Sequence, residues 1–114
     1  MTRALTVLEP DAAACCAGAL ASPLSRPQAE DLAALLKAVA DPIRLQLVSI
    51  IRASANQEAC VCDLTDAVGV AQPTVSHHLR ILTQAGVLTR ERRASWAWFT
   101  LVPQRLDDLA SIFS

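Results

Sequence analysis

The sequence has few aromatic residues and no long apolar run. Aromatic side chains make up 4% of its 114 residues and tyrosine is absent, whereas hydrophobic residues as a whole reach 53%. Aliphatic side chains must fill the core, which favours packed helices over a sheet-rich fold. The longest uncharged stretch, residues 12–25, is shorter than the roughly 20 apolar residues of a membrane span, so we expect no transmembrane helix. The length allows one small domain.

A secretory signal is also missing from the first residues. Residues 9–11 read Glu-Pro-Asp where an apolar signal segment should continue. We therefore predict a cytoplasmic protein with no membrane partner. Cysteines are kept reduced in that compartment, so the pairs Cys15, Cys16 and Cys60, Cys62 are expected as thiols for metal or redox chemistry rather than as structural disulfides.

The chain carries little net charge, but the charge is unevenly placed. The formal value of -1 taken alone argues against nucleic acid as a partner. Residues 67–105, however, hold five arginines against a single glutamate. This segment therefore has the basic footprint of a nucleic-acid-binding surface.

Hydrophobic spacing and helix-capping residues predict the order of elements. The expected elements are helices beginning near residue 28 and at 42, a short helix over 62–68, a helix over 73–85, strands over 87–90 and 96–101, and a last helix opening at 103. This is a mainly α fold with a small β-hairpin, a winged helix-turn-helix of order α-α-α-α-β-β-α. Residues 1–26 are expected to form an N-terminal arm, and residues 27–114 the DNA-binding and dimerisation domain.

The helix over 73–85 has one apolar and one polar face. Val75, Leu79 and Leu82 recur at helical spacing, and the opposite face carries hydrogen-bonding residues with little Glu or Lys. A purely solvated face usually carries more charge, so this face is suited to contacting a partner. The five residues between the two strands form a basic hairpin tip.

Four co-linear motifs resemble one known family. Residues 37–45 read KAVADPIRL, 60–64 CVCDL, 72–79 QPTVSHHL and 85–88 AGVL. Together they resemble the ArsR/SmtB family of metal-responsive winged-helix repressors, over about residues 32–102. The resemblance implies a homodimer, not an enzyme, that binds operator DNA without a cofactor. It also implies that a toxic metal or metalloid releases the protein and so derepresses a resistance operon.

The second helix of a helix-turn-helix lies in the major groove, and the wing contacts the backbone or the minor groove. The predicted DNA-binding residues are Gln72, Thr74, Ser76, His77 and Arg80 on the helix, with Arg90, Arg92 and Arg93 on the hairpin. His78 falls on the apolar face, so it is expected to pack rather than to bind an ion with His77. Many family members have Ser where this chain has Ala71, and losing such a cap typically costs about 1 kcal/mol.

The four cysteines are the predicted metal ligands. Cys60 and Cys62 lie where a helix begins, and an extended turn there lets both sulfurs face one ion while the helix N-terminus favours thiolates. Two thiolates do not close a soft-ion site. In relatives that complete it locally a further Cys stands where this chain has Thr65, so the arm's Cys15 and Cys16 are expected to complete it, on either subunit.

Vicinal thiols suit the three-sulfur coordination of As(III) or Sb(III), and family precedent also favours As(III) as the inducer. A four-thiolate set would instead suit Cd(II) or Pb(II), which remains an alternative. A second alternative is a redox switch through a disulfide between arm and helix. A small dithiol reductase is the third, but the chain lacks Cys-x-x-Cys spacing and a βαβ pattern.

The first and last predicted helices carry apolar stripes, which predict a dimer interface unless the two helices cover only each other. The resemblance also raises a second metal site on the last helix. Asp107 and Asp108 are present there without a histidine, so we expect no zinc site at that position.

Overall fold

The computed structural model describes residues 23–113. Cys15, Cys16 and most of the expected arm lie outside these residues. Within them, the elements are α1 (Arg26–Val39), α2 (Pro42–Ala53), a 3-10 turn (Ala55–Gln57), β1 (Glu58–Cys60), α3 (Val61–Val68), α4 (Gln72–Gln84), β2 (Leu88–Arg93), β3 (Trp96–Leu101) and α5 (Pro103–Ile112). The predicted winged helix-turn-helix is confirmed, with one strand more than expected.

Local sequence signals account for where the helices start and stop. Asp41 caps α2 by accepting hydrogen bonds from the backbone N–H groups of Ile43 and Arg44, and Pro42 occupies the first helical position. Gly69 ends α3 in the left-handed conformation at φ 73°, a backbone conformation that is strained for residues with a side chain. The chain can therefore turn from α3 into α4 within three residues.

The additional strand, β1, changes the hairpin into a three-stranded antiparallel sheet of order β1-β3-β2. Residues 54–58, Ser-Ala-Asn-Gln-Glu, have the local composition of a polar turn. A three-residue strand is too short to show an alternating pattern, and its hydrogen bonds come from β3, far along the chain. The hairpin is also tighter than predicted, because β2 continues to Arg93 and the turn is made by Ala94, at φ 54°, and Ser95.

The core fixes the orientation of the helix-turn-helix. Val75, Leu79 and Leu82 of α4 are fully buried, as the periodicity predicted. They pack in one apolar cluster with Leu64 of α3 and with side chains of α2 and the sheet. The polar face of α4 must consequently point away from the protein. None of the helices within residues 23–113 is long and apolar enough to cross a membrane.

Candidate DNA interface and thiol site

The exposed face of α4 carries the residues that the sequence analysis predicts to contact DNA bases. Gln72, Thr74, His77 and Arg80 are exposed, and Ser76 is partly buried. Because α4 is anchored along its opposite face, these side chains project from a rigid support. The geometry matches a helix that enters the major groove.

A cleft of about 420 Å³ separates α4 from the wing, here β2, β3 and their turn. Arg80 of α4 lines one wall, and Arg90 and Arg92 of β2 line the other. None of these three arginines forms an ion pair with another residue of the 23–113 segment. We call this feature the basic cleft; its cationic side chains are available to phosphate oxygens.

Arg93 does not belong to the basic cleft, which corrects the prediction that it shares a DNA-facing tip with Arg92. Successive strand residues point to opposite faces, and Arg93 lies on the face opposite to Arg92. Its guanidinium donates to both carboxylate oxygens of Glu58, at 2.8 and 3.0 Å, and to Glu91 at 3.1 Å. It also lies over the ring of Trp98, 4.7 Å from the centroid. These partners hold Arg93 against the sheet.

The two adjacent histidines have different surroundings, as predicted. His77 is exposed on the polar face of α4, whereas His78 is partly buried, with Nδ1 3.0 Å from Nη1 of Arg44. Asp41 lies 3.9 Å from the same ring nitrogen, and its pKa is lowered, first by the hydrogen bond from the Arg44 backbone. His78 thus ties α4 to the N-terminus of α2.

The thiol site lies where β1 passes into α3. Cys60 is the N-cap of α3, and its Sγ accepts a hydrogen bond from the backbone N–H of Asp63 at 3.4 Å. The extended backbone of Cys60 turns its sulfur towards that of Cys62 in the first helical turn, with 5.4 Å between the two Cα atoms. The predicted convergence of the two sulfurs is therefore confirmed.

The two sulfurs are joined in a disulfide, which corrects the expectation of free thiols for this pair. A carboxylate oxygen of Asp63 lies within 4.8 Å of both sulfur atoms. Sequence reasoning missed Asp63; its signal was an acidic residue three positions after the N-cap, in the first turn of α3. Once reduced, the site offers two sulfurs, which suit a soft ion, and beside them one carboxylate oxygen, a harder donor.

The recognition helix α4 lacks a side-chain cap, and this leads to a stability prediction. Ala71 occupies the N-cap in extended conformation, where its carbonyl accepts from the N–H groups of Thr74 and Val75 but its side chain offers no acceptor. We expect Ala71→Ser to raise the free energy of unfolding by about 1 kcal/mol, because the new hydroxyl can accept from the N–H of Thr74. Urea unfolding followed by circular dichroism measures this.

Ala71→Val is the matched control, since valine adds bulk at the same position without an acceptor. Equal stability of the serine and valine variants would contradict the capping explanation.

Comparison with known proteins places the chain among transcriptional regulators. Residues 41–90 match the family described as bacterial regulatory protein, arsR family. The chain is 35% identical over 75 residues to the arsenical resistance operon repressor of Bacillus subtilis (strain 168), which covers 66% of this chain and 70% of that protein. It is 32% identical over 83 residues to an uncharacterized HTH-type transcriptional regulator of Methanocaldococcus jannaschii, covering 73% and 91% of the two chains.

Solved structures show the same fold. The crystal structure of the AntR antimony-specific transcriptional repressor aligns with a TM-score of 0.72 and 25% identity, over 93% of this chain and 89% of that one. Several other curated relatives are longer, and the chain spans only 51% to 63% of their length. The fold and the regulator class therefore rest on most of the chain.

Proposed function

Because this chain belongs to the arsR family of bacterial regulatory proteins, we propose that it is an arsenic-responsive repressor. It binds operator DNA as a homodimer and leaves the DNA when As(III) or Sb(III) binds its cysteine thiolates, which derepresses an arsenic-resistance operon. The observation that carries the proposal is the Cys60 and Cys62 pair at the N-terminus of the first helix of the helix-turn-helix.

The basic cleft and the polar face of α4 supply the DNA contacts. In this proposal Arg80 and Gln72, both exposed on α4, bond to guanine and adenine edges, the pairings that their donors and acceptors favour. Thr74, Ser76 and His77 add contacts along the same face, and Arg90 and Arg92 neutralise phosphates on the wing side. Arg93 is left out, because its guanidinium is held by Glu58 and Glu91.

The metalloid site requires the reduced form of the Cys60 and Cys62 pair. Reduction of the disulfide by a cellular thiol frees two sulfurs, and the N-terminus of α3 favours their thiolate form. As(III) takes three sulfur ligands, so at least one further thiolate is needed. Cys15 and Cys16, outside the described residues, are the proposed source. The antimony specificity of one structural relative supports a trivalent metalloid over Cd(II) or Pb(II).

Metalloid binding acts on the helix-turn-helix through the cap of α3. The sulfur of Cys60 accepts from the Asp63 N–H at 3.4 Å, and an ion that takes this sulfur competes with that hydrogen bond. Because α3 packs directly against α4, a shift at the start of α3 changes how α4 is presented to DNA. Release requires the ion to favour the DNA-free form, with couplings of this kind typically about 1 to 3 kcal/mol.

The dimer rests on α1 and α5. These helices lie side by side, and Arg105 of α5 donates to both carboxylate oxygens of Asp31 of α1, at 3.0 and 3.1 Å. Apolar side chains nevertheless remain uncovered, with Leu36 41% exposed and Phe113 77% exposed. A second copy of this chain would bury them.

The Cys15→Ser/Cys16→Ser double variant tests the metalloid site. We expect it to bind a duplex, selected from a random library by the wild-type protein, as tightly as wild type does. We expect release by As(III) to be lost, because the third thiolate is missing. Fluorescence anisotropy of the labelled duplex, titrated in turn with As(III), Sb(III), Cd(II), Pb(II), Zn(II) and peroxide, measures both properties. Unchanged release by As(III) in the variant would contradict the role of the arm cysteines.

A second candidate function, thiol redox sensing, is favoured by the disulfide between Cys60 and Cys62. In this alternative a peroxide oxidises the two thiols, which lose two protons and two electrons as the S–S bond forms. An organic peroxide is thereby reduced to an alcohol and one water, and hydrogen peroxide to two waters. The same titration distinguishes the candidates. Release by peroxide without any ion would support redox sensing, and release by As(III) under reducing conditions supports the metalloid repressor.

A further inference from the structure

Three side chains join the wing to the strand that ends at the thiol site. Arg93 of β2 bonds to Glu58 of β1 through two hydrogen bonds and lies over Trp98 of β3. The hydroxyl of Thr100 adds a contact of 3.5 Å to Glu58. We call Glu58, Arg93 and Trp98 the wing clamp.

The wing clamp lies next to the cysteine site. Glu58 and Cys60 are two residues apart in β1, so both lie on the face of the sheet opposite to the basic cleft. Cys60 is the direct cross-strand neighbour of Trp98. A cavity of about 330 Å³ beside them is lined by Glu58, Asp63 and Trp98, among others, which leaves these side chains room to rearrange.

The wing clamp is also connected to the basic cleft through the backbone of β2. Arg90 and Arg92 alternate with Glu91 and Arg93 along that strand. A displacement of Arg93 therefore moves the two arginines that face the DNA. β1 is only three residues long and its last residue is Cys60. A shift of Cys60 therefore also moves Glu58, two residues away in the same strand.

We propose that the wing clamp couples the state of Cys60 to the position of the wing against DNA. In the DNA-binding form Cys60 caps α3, the backbone pairing of the sheet holds the wing beside α4, and Glu58 links Arg93 of β2 to β1. When an ion takes the Cys60 sulfur, β1 moves, and the clamp carries that movement into β2. Glu58 and Arg93 are thus positioning residues for release, and this role rests on the proposed function.

The test compares two variants, each of which replaces one of the two glutamates that bond to Arg93. Glu58→Gln removes the carboxylate that links β1 to β2. Glu91→Gln removes the carboxylate that contacts Arg93 from within β2, so it changes the charge equally but leaves the strand-to-strand link. For each protein, anisotropy of the library-selected duplex gives the dissociation constant with and without saturating arsenite. The ratio of the two constants is the release factor.

We expect all three proteins to bind the duplex within about threefold of one another without arsenite. If arsenite weakens wild-type binding about 100-fold, we expect a similar factor for Glu91→Gln and about 10-fold or less for Glu58→Gln. Arsenite affinity, followed by As–S ultraviolet absorbance in the absence of DNA, should be equal in all three. A purely structural role would lower the thermal midpoint without changing the release factor.

Equal release factors for wild type and Glu58→Gln would overturn the role of the clamp while leaving the proposed function intact. A reduced factor accompanied by weakened arsenite binding would also overturn it, because Glu58 would then act on the ion site itself. A wild-type protein that arsenite does not release would contradict the proposed function and the coupling together.

Discussion

Replacing Arg80 with alanine is expected to weaken binding of the selected duplex by about 10- to 100-fold. Arg80 is exposed on the polar face of α4 and lines the basic cleft. A bidentate arginine contact to guanine discriminates by about 1 to 3 kcal/mol, and its loss should relax sequence preference as well as affinity. Anisotropy titrations against the selected duplex and a scrambled duplex measure the two effects.

Arg92→Ala and Arg52→Ala are the matched comparisons. Arg92 faces the same cleft from the wing, so its loss should weaken binding to both duplexes alike. It should also reduce the slope of log affinity against log salt concentration by about one, because one phosphate contact is lost. Arg52 is exposed at the end of α2, outside the residues that line the cleft, so its loss should leave binding within twofold. If Arg52→Ala and Arg80→Ala weakened binding equally, the basic cleft would not be the DNA interface.

Replacing Cys60 with serine is expected to abolish release by As(III) while DNA binding is retained. Serine is a favourable N-cap, so it can take over the hydrogen bond from the Asp63 N–H and keep the start of α3 in place. It cannot replace a thiolate as a ligand for a soft ion. Anisotropy with increasing arsenite, under reducing conditions, gives the half-release concentration for wild type and variant.

Cys60→Ala separates the two roles of this side chain. Alanine removes both the ligand and the cap, so we expect loss of release together with a stability decrease of about 1 kcal/mol in urea unfolding. The serine variant should lose release alone. If arsenite released the Cys60→Ser variant from DNA at the same half-release concentration as wild type, Cys60 would be excluded as a ligand.

The sequence was sufficient to predict the helix-turn-helix because its signals are local. Proline at the first position of α2, glycine after α3 and the apolar spacing of Val75, Leu79 and Leu82 each act within a few residues. The exposed face of α4 follows from the same periodicity. These features required no knowledge of distant contacts.

The features that sequence reasoning missed depend on pairing between distant segments. β1 exists because residues 58–60 pair with β3 about 40 positions later, and a turn-like stretch gives no local sign of that. The position of Arg93 depends on where the hairpin turns. A tip of residues 91–95 would have placed Arg92 and Arg93 together, whereas a turn at Ala94 and Ser95 keeps both in the strand and on opposite faces.

The alternation along β2 has a consequence for how such a regulator can diversify. Arg90 and Arg92, at even positions, face the basic cleft, and Glu91 and Arg93, at odd positions, face the side of the thiol pair. On the proposed function, substitutions at the even positions would change the affinity for DNA of any sequence, whereas substitutions at the odd positions would change the response to the inducer. A single inserted residue within the strand would exchange the two sets, so wing length should be far less tolerant of change than wing composition.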